Sequence, residues 1–447
     1  MSRPSAPPLH TSAALPLAVD LYELTMLQAY LQNGLGGEAT FSLFFRQLPP
    51  GRSYAIACGQ QEVAELLPTL RFDASALAAL AGVPGLSPML LEWLADFRFS
   101  GTLRSVREGT PVFPQEPILE ISGPLAEVQL LETLVMNQVH TQTVLATKAA
   151  RLRQAAGPVP LIDFSMRRAH GIEASVRGVR AFYIGGLDAT SNVLGGLTYG
   201  MPLSGTMAHS FIQAHDSELS AFENFWATSP APTFLVDTYE TSQGVARVIE
   251  LSRRLGRLPA AVRIDSGDLG MQARAVRQQL DEAGMETVRI VVSGTLDEQA
   301  IARLRAAQTP VDGFGVGTAL GVSRDAPALD LVYKMVEYNG RPRAKRSPGK
   351  IQLPGAKQFW RRRDVHGRVL GDVLGLTDDF AEGEPQLREQ VVAGDLLTDT
   401  LYTLEQAREH CAWELAGLPA DRKALEANAP ALEVRLTPAL RALAERH

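Results

Sequence analysis

The strongest constraint in this sequence is an interval. Short apolar runs end in polar residues at His209, Asp237, Asp265 and Ser293, each 28 residues after the one before. That interval is the size of one strand, one helix and their connections. The runs are 203–210, 233–239, 260–268 and 289–294, flanked by 159–164, which ends near Asp163, and by 313–318. Equal steps of this kind predict a parallel β/α array. The units share little residue identity, which separates the chain from solenoid repeats. A polar residue at each strand's carboxyl end favours a barrel, where those ends converge on one mouth. A doubly wound sheet would gather them at one switch point.

Outside that array the pattern is mixed. Helical spacing covers 20–33, a strand 39–45, a helix 56–67, short strands 98–121 and a helix 127–153. The chain therefore divides into a loose tail at 1–19, an α+β domain at 20–125, a barrel at 126–335, and a region 336–447 packing on the N-terminal domain. That last region is expected to be a basic, turn-rich loop at 341–363 followed by mostly helical chain. With 447 residues, 45% of them hydrophobic, there is enough apolar material for two or three cores. A net charge of −6 supplies no global field for nucleic acid, so none is expected as a main partner. Glycine and proline interrupt the most apolar stretch, 74–94, so no membrane span is expected. The two cysteines, Cys58 and Cys411, form no disulfide framework or zinc spacing, which fits a cytoplasmic setting.

Five strand ends carry chemistry. Gly313, Gly315, Gly317 and Thr318, with Ser293, Gly294 and Thr295 on the neighbouring strand, can bring backbone N–H groups close to an anion and so form a monophosphate cradle; singly, each is a tight turn. Asp265-Ser266-Gly267-Asp268 offers paired acceptors for ribose hydroxyls and hard oxygens for Mg²⁺, or else an Asx turn opening the next helix. Arg167 and Arg168 follow a buried strand, where a guanidinium can grip a carboxylate or phosphate, and Phe164 could stack on a flat ring. His209, beside Ser210, could act as acid, base, metal ligand or nucleophile, and the spacing does not choose. No second histidine stands at a ligand interval from it, which argues against a protein-built zinc site.

These segments, in this order and at this spacing, resemble the nicotinate phosphoribosyltransferases. The resemblance runs through Asp20-Leu21-Tyr22-Glu23-Leu24-Thr25-Met26, residues 163–171, 185–192, 205–210, 235–239, 264–268, 292–294 and 314–318, then Tyr333-Lys334 and the Pro354-Gly355 turn with Lys357. It implies an irregular (β/α) barrel of the type II phosphoribosyltransferase kind and an α+β domain built from both chain ends. It also implies a homodimer with shared active sites, to which Tyr22 contributes a stacking ring. The implied reaction joins nicotinate to PRPP, giving nicotinate mononucleotide and pyrophosphate for NAD salvage, with ATP as co-substrate and Mg²⁺ as cofactor. On the same ground, His209 would be phosphorylated by ATP and act with Asp265 in catalysis. Tyr22, Phe164, Arg167, Arg168 and Ser210 would hold nicotinate. Thr206, Asp265, Ser266, Asp268, Ser293, Gly294, Gly315, Gly317 and Thr318 would hold PRPP, with Asp265 and Asp268 on the metal. Two alternatives remain: a nicotinamide phosphoribosyltransferase, if Asp188 faces the ring and accepts an amide, and a non-catalytic nucleotide-binding protein.

Overall fold

The computed structural model describes residues 14–345, 352–425 and 432–446. Most of the expected N-terminal tail, together with Arg346 and Lys350 of the basic segment, lies outside the described residues. The chain forms two units, Leu145–Pro327 and, from both chain ends, Met1–Val144 with Ala328–His447. The sequence reading placed the central unit at 126–335. The division instead falls inside a single helix, Glu132–Ala156, in which no glycine or proline marks a break.

The unit made from both chain ends is built on a seven-stranded antiparallel sheet. Its order is Arg341–Pro342, Leu331–Tyr338, Glu38–Phe45, Leu119–Pro124, Thr102–Ser105, Arg388–Val392 and Asp395–Leu396. Glu38–Phe45 is buried from Ala39 onward, because it is central in the sheet and covered on both faces. Phe41 stacks on Tyr333 of the neighbouring strand with ring centroids 4.9 Å apart, and Leu24, Leu27, Leu43, Leu119 and Ile121 extend the same core.

The expectation of a mostly helical C-terminal region is wrong. Up to Leu396 the chain is largely β, with Lys357–Arg363 and Val369–Leu376 as the central strands of a four-stranded sheet. Among the described residues of this region, helices are confined to Leu404–Gly417, Pro438–Arg446 and short 3₁₀ turns. The basic run Lys357, Arg361, Arg362 and Arg363, expected within a turn-rich loop, lies in the strand Lys357–Arg363. Lys357 and Arg361 are buried instead. Carboxylates neutralise them: Arg361 pairs with Asp372 at 2.7 Å and Glu414 at 2.8 Å, and Lys357 with Glu120 at 3.5 Å. Burial would lower the Arg361 pKa, but these carboxylates reverse the effect and raise it. This part of the basic segment is therefore structural.

The unit Leu145–Pro327 holds a six-stranded parallel sheet ordered Ala189–Thr190, Leu161–Asp163, Gly313–Val316, Arg289–Val292, Ala261–Ile264 and Thr233–Leu235. Helices Ile172–Ile184, Thr241–Leu255, Leu269–Glu282 and Glu298–Ala306 alternate with the strands. The 28-residue interval is the register of this sheet. Thr233 pairs with Ala261 and Ala261 with Arg289, so residues 28 apart stand side by side. Its first and last strands, Ala189–Thr190 and Thr233–Leu235, are not paired with each other, and the sheet is a curled half-barrel. One step of the interval does not belong to it. The expected strand at 203–210 is a single bridge, Leu203 to Thr190, and His209 opens the helix His209–Gln213. Pro202, Gly205 and too few alternating residues leave that segment unable to hold a ladder. No described helix is long and apolar enough to cross a membrane.

Candidate active site

Because residues 28 apart stand side by side, the residues after the three strands Thr233–Leu235, Ala261–Ile264 and Arg289–Val292 form a row. Asp237 Oδ2 accepts hydrogen bonds from the Asp265 backbone N–H at 2.8 Å and from Ser266 Oγ at 2.7 Å. Asp265 Oδ1 in turn accepts from Ser293 Oγ at 2.5 Å. The expected strand-end residues are thus brought together.

The row is organised by a residue that the sequence reading missed. Arg263 donates through Nε to Ser293 Oγ at 2.8 Å, through Nη1 to Thr206 Oγ1 at 2.8 Å, and through Nη2 to Asp265 Oδ1 at 2.7 Å. Its guanidinium carbon lies 5.3 Å from the centroid of the Phe164 ring. A signal was available. Arg263 interrupts an apolar strand two residues before Asp265, and positions i and i+2 share a strand face. Burial alone would raise the Asp265 pKa, but hydrogen bonds from Ser293 and Arg263 outweigh it and hold the carboxyl below its ordinary value. Asp265 is therefore an ionised carboxylate at neutral pH.

His209 reaches this row from its helix. Its Nδ1 is 3.1 Å from Thr238 Oγ1 and its Nε2 is 3.9 Å from Asp265 Oδ2. The side chain is 40% exposed, so one edge is open to a ligand. Thr238, also missed, fixes the ring orientation. Ser210 is exposed on the same helix.

Two glycines at strand ends are required by close approach. Gly294 has φ +101°, and a Cβ there would come 2.2 Å from the Asp265 carbonyl oxygen. At Gly315 a Cβ would lie 2.4 Å from Phe164 Cε2, so this glycine makes room for the ring that Arg263 faces. Gly317 and Thr318 begin the short helix Thr318–Gly321 beyond that strand.

Arg167 and Arg168 stand exposed on the 3₁₀ turn Met166–Arg168, after the strand Leu161–Asp163. Their guanidinium groups have no hydrogen-bonding or ionic partner among the described residues. Asp163 anchors this turn and does not face a ligand. It is buried, and it accepts from the Ser165 N–H at 2.8 Å and Thr190 Oγ1 at 2.7 Å; burial raises its pKa against those hydrogen bonds.

Three assignments need qualification by geometry. Asp268 Oδ1 caps the helix Leu269–Glu282 through the Met271 N–H at 2.9 Å, so the Asx-turn alternative is present and only its second oxygen is uncommitted. Asp188 cannot face a ring at the strand carboxyl ends. It is paired with Arg153 and accepts from the Leu161 N–H at 2.8 Å, at the opposite end of the sheet. Tyr22 belongs to the other unit, half-exposed on the helix Leu21–Gln32. Partial burial, with Glu132 and other carboxylates nearby, raises its pKa.

A curled parallel sheet whose carboxyl ends gather carboxylates, hydroxyls, unpaired arginines and close-approach glycines defines an α/β enzyme of the kind that binds phosphorylated ligands. Residues 17–140 match the nicotinate phosphoribosyltransferase (NAPRTase) N-terminal domain and residues 159–355 the nicotinate phosphoribosyltransferase (NAPRTase) family. A nicotinate phosphoribosyltransferase of Mycobacterium tuberculosis is 48% identical over 412 residues, covering 92% of this chain and 89% of that protein. One from Bacillus subtilis is 38% identical, covering 84% and 79%. The crystal structure of human nicotinic acid phosphoribosyltransferase superposes with a TM-score of 0.84 at 30% identity, over 96% of this chain and 99% of that one. The chain belongs to the nicotinate phosphoribosyltransferase family.

Proposed function

We propose that this chain joins nicotinate to PRPP, releasing pyrophosphate and forming nicotinate mononucleotide, the entry step of NAD salvage from nicotinate. The observation that carries this reading is the pairing of two opposite facts: Arg167 and Arg168 are unpaired at the strand ends, while Asp188 is committed elsewhere. The first suits a carboxylate substrate and the second removes the acceptor an amide would need. In the reaction the pyridine nitrogen attacks C1 of the ribose and the bond to pyrophosphate breaks. No proton has to move, so the protein's work is positioning and charge stabilisation. Arg263 faces Phe164, against which the pyridine ring would stack. Asp265 and Ser266 would hold the ribose hydroxyls. Ser293, Gly294, Gly315, Gly317 and Thr318 would cradle the 5′-phosphate, with Thr206 and Ser210 completing the walls.

A Mg²⁺ fits the donor set. No described group of three or more His, Cys, Asp or Glu forms a metal cage, and Mg²⁺ commonly needs only one or two carboxylates plus substrate phosphates. Asp265 and Asp268 would hold it, beside an Asp237 Oδ1 that is buried without a hydrogen-bond partner. When bound, the metal supplies neutralisation of the pyrophosphate charge. Coupling to ATP rests on His209: a ring nitrogen attacks the γ-phosphorus, the bond to ADP breaks, and the phosphohistidine is later hydrolysed to phosphate. We place the enzyme in the cytoplasm, consistent with two buried cysteines, Cys58 and Cys411, that form no disulfide.

Assays with PRPP and either nicotinate or nicotinamide, with and without ATP, test this reading. Nicotinate should be turned over far better than nicotinamide, and ATP should increase product. Arg167→Ala and Arg168→Ala together should raise KM for nicotinate about tenfold or more. ATP labelled in its γ-phosphate should leave an acid-labile label on the wild type and none on His209→Ala. Equal turnover of both bases overturns the specificity.

A further inference from the structure

Away from the parallel sheet, the unit built from both chain ends carries a cleft of about 400 Å³, a volume within the range of small-molecule sites. Its most unusual wall is Trp413, on the helix Leu404–Gly417, with 50% of its surface exposed. This ring is fixed. The Arg363 guanidinium sits 4.0 Å from its centroid, and Arg363 is itself held by buried Glu414 at 2.5 Å. His410 stacks against Trp413 at 6.1 Å with an interplanar angle of 28°, and its Nε2 is tied to Thr110 Oγ1 at 3.0 Å. Burial, opposed by Glu414, pushes the His410 imidazole down to about 4, so the aromatic wall is uncharged at neutral pH. A rigid tryptophan left half-open beside a neutral imidazole is a surface prepared for a planar ring.

The charges of the cleft are arranged around that wall. The sheet register sets Arg388 opposite Ser105, two residues before Arg107, so both arginines line the same end. Arg388 is neutralised by Glu384 at 2.8 Å. Arg107 lies over the Tyr402 ring at 4.9 Å and donates to the Gln406 carbonyl at 3.1 Å, but it has no carboxylate partner among the described residues. Glu409, and the Glu384 oxygen not bonded to Arg388, are acceptors for an amino group, while Glu414, the third carboxylate of the lining, is taken up by Arg361 and Arg363. None of these residues belongs to the strand-end row.

We propose that this cleft binds an adenine mononucleotide, its base against Trp413 and His410, its amino group toward Glu384 or Glu409, and its phosphate on Arg107. The site is a second nucleotide site, separate from the strand-end row, and suits an effector of the enzyme's own metabolic neighbourhood.

The test is AMP titration of the full chain with PRPP at saturation to occupy the strand-end site, read by tryptophan fluorescence and equilibrium dialysis. AMP should give saturable quenching of the wild type. Trp413→Phe should abolish the quenching, and Arg107→Ala should weaken binding about tenfold or more by both readouts. Adenosine and inorganic phosphate, each lacking one half of the recognition, should bind more weakly than AMP. Trp413→Phe is checked for folding by thermal unfolding, and Arg107→Ala, a surface change, keeps the question open to failure if that variant does not fold. The proposal is overturned by absence of saturable binding, by quenching that survives Trp413→Phe, by unchanged affinity in Arg107→Ala, or by phosphate binding as tightly as AMP.

Discussion

A single guanidinium holds the strand-end row in place. Arg263 satisfies Thr206, Asp265 and Ser293 at once with a planar fork, and a lysine has one rotating ammonium for the same three acceptors. Arg263→Lys should lower kcat/KM about 100-fold or more while costing only about 1–3 kcal/mol in stability, measured by kinetics and denaturant unfolding. Near-normal activity in that variant would show the hub to be dispensable. Glu23 makes a different prediction. Burial, partly offset by hydrogen bonds from Thr133, raises its carboxyl pKa to about 7 from an ordinary 4.5. The folded chain therefore binds this proton more tightly than the unfolded chain does. The resulting stabilisation is complete below about pH 4.5 and is lost as pH rises through 7. Glu23→Gln, which keeps the acceptor for Thr133, should flatten that decline and unfold at higher denaturant than wild type above pH 7.

At the scale of elements, the sheet explains why one part of the site was legible and another was not. Asp237, Asp265 and Ser293 could be read in advance because a parallel ladder that pairs residues 28 apart turns equal sequence spacing into adjacency. His209 shared the spacing without being in the ladder; its place 3.9 Å from Asp265 comes from the helix His209–Gln213. The basic strand Lys357–Arg363 was illegible for the opposite reason. Its neutralising carboxylates Glu120, Asp372 and Glu414 come from distant segments, and no local pattern announces such pairing. The turn after Arg289–Val292 gives a test. Gly294 and Gly284 both have positive φ, but a Cβ meets nothing within 4 Å at Gly284 and meets the Asp265 carbonyl at Gly294. Alanine at Gly284 should cost about 1 kcal/mol, and at Gly294 about 2 kcal/mol more, with a raised KM for PRPP only in the second. Equal costs would remove the close-approach argument.

The whole molecule leaves apolar surface uncovered. Val193, Leu194 and Leu197 are exposed on the helix Val193–Tyr199, Leu197 at 73%, and Leu21 and Tyr22 are exposed on the other unit. Exposed apolar side chains of this kind are what the proposed homodimer, with Tyr22 supplied by a second copy, would cover. On that proposal, light scattering should find the wild type dimeric and Leu197→Glu a folded monomer of reduced turnover. An unchanged mass would exclude this helix from the interface. The sequence by itself determined the β/α array, the family and most strand-end residues, because register and helical period are local and repeat along the chain. Only the tertiary structure decided that the sheet stays open, that Arg263 and Thr238 orient the row, that Asp188 is committed elsewhere, and that a basic run is buried. Each of those depends on which distant group meets a side chain, a matter of packing and charge pairing that no interval in the sequence encodes.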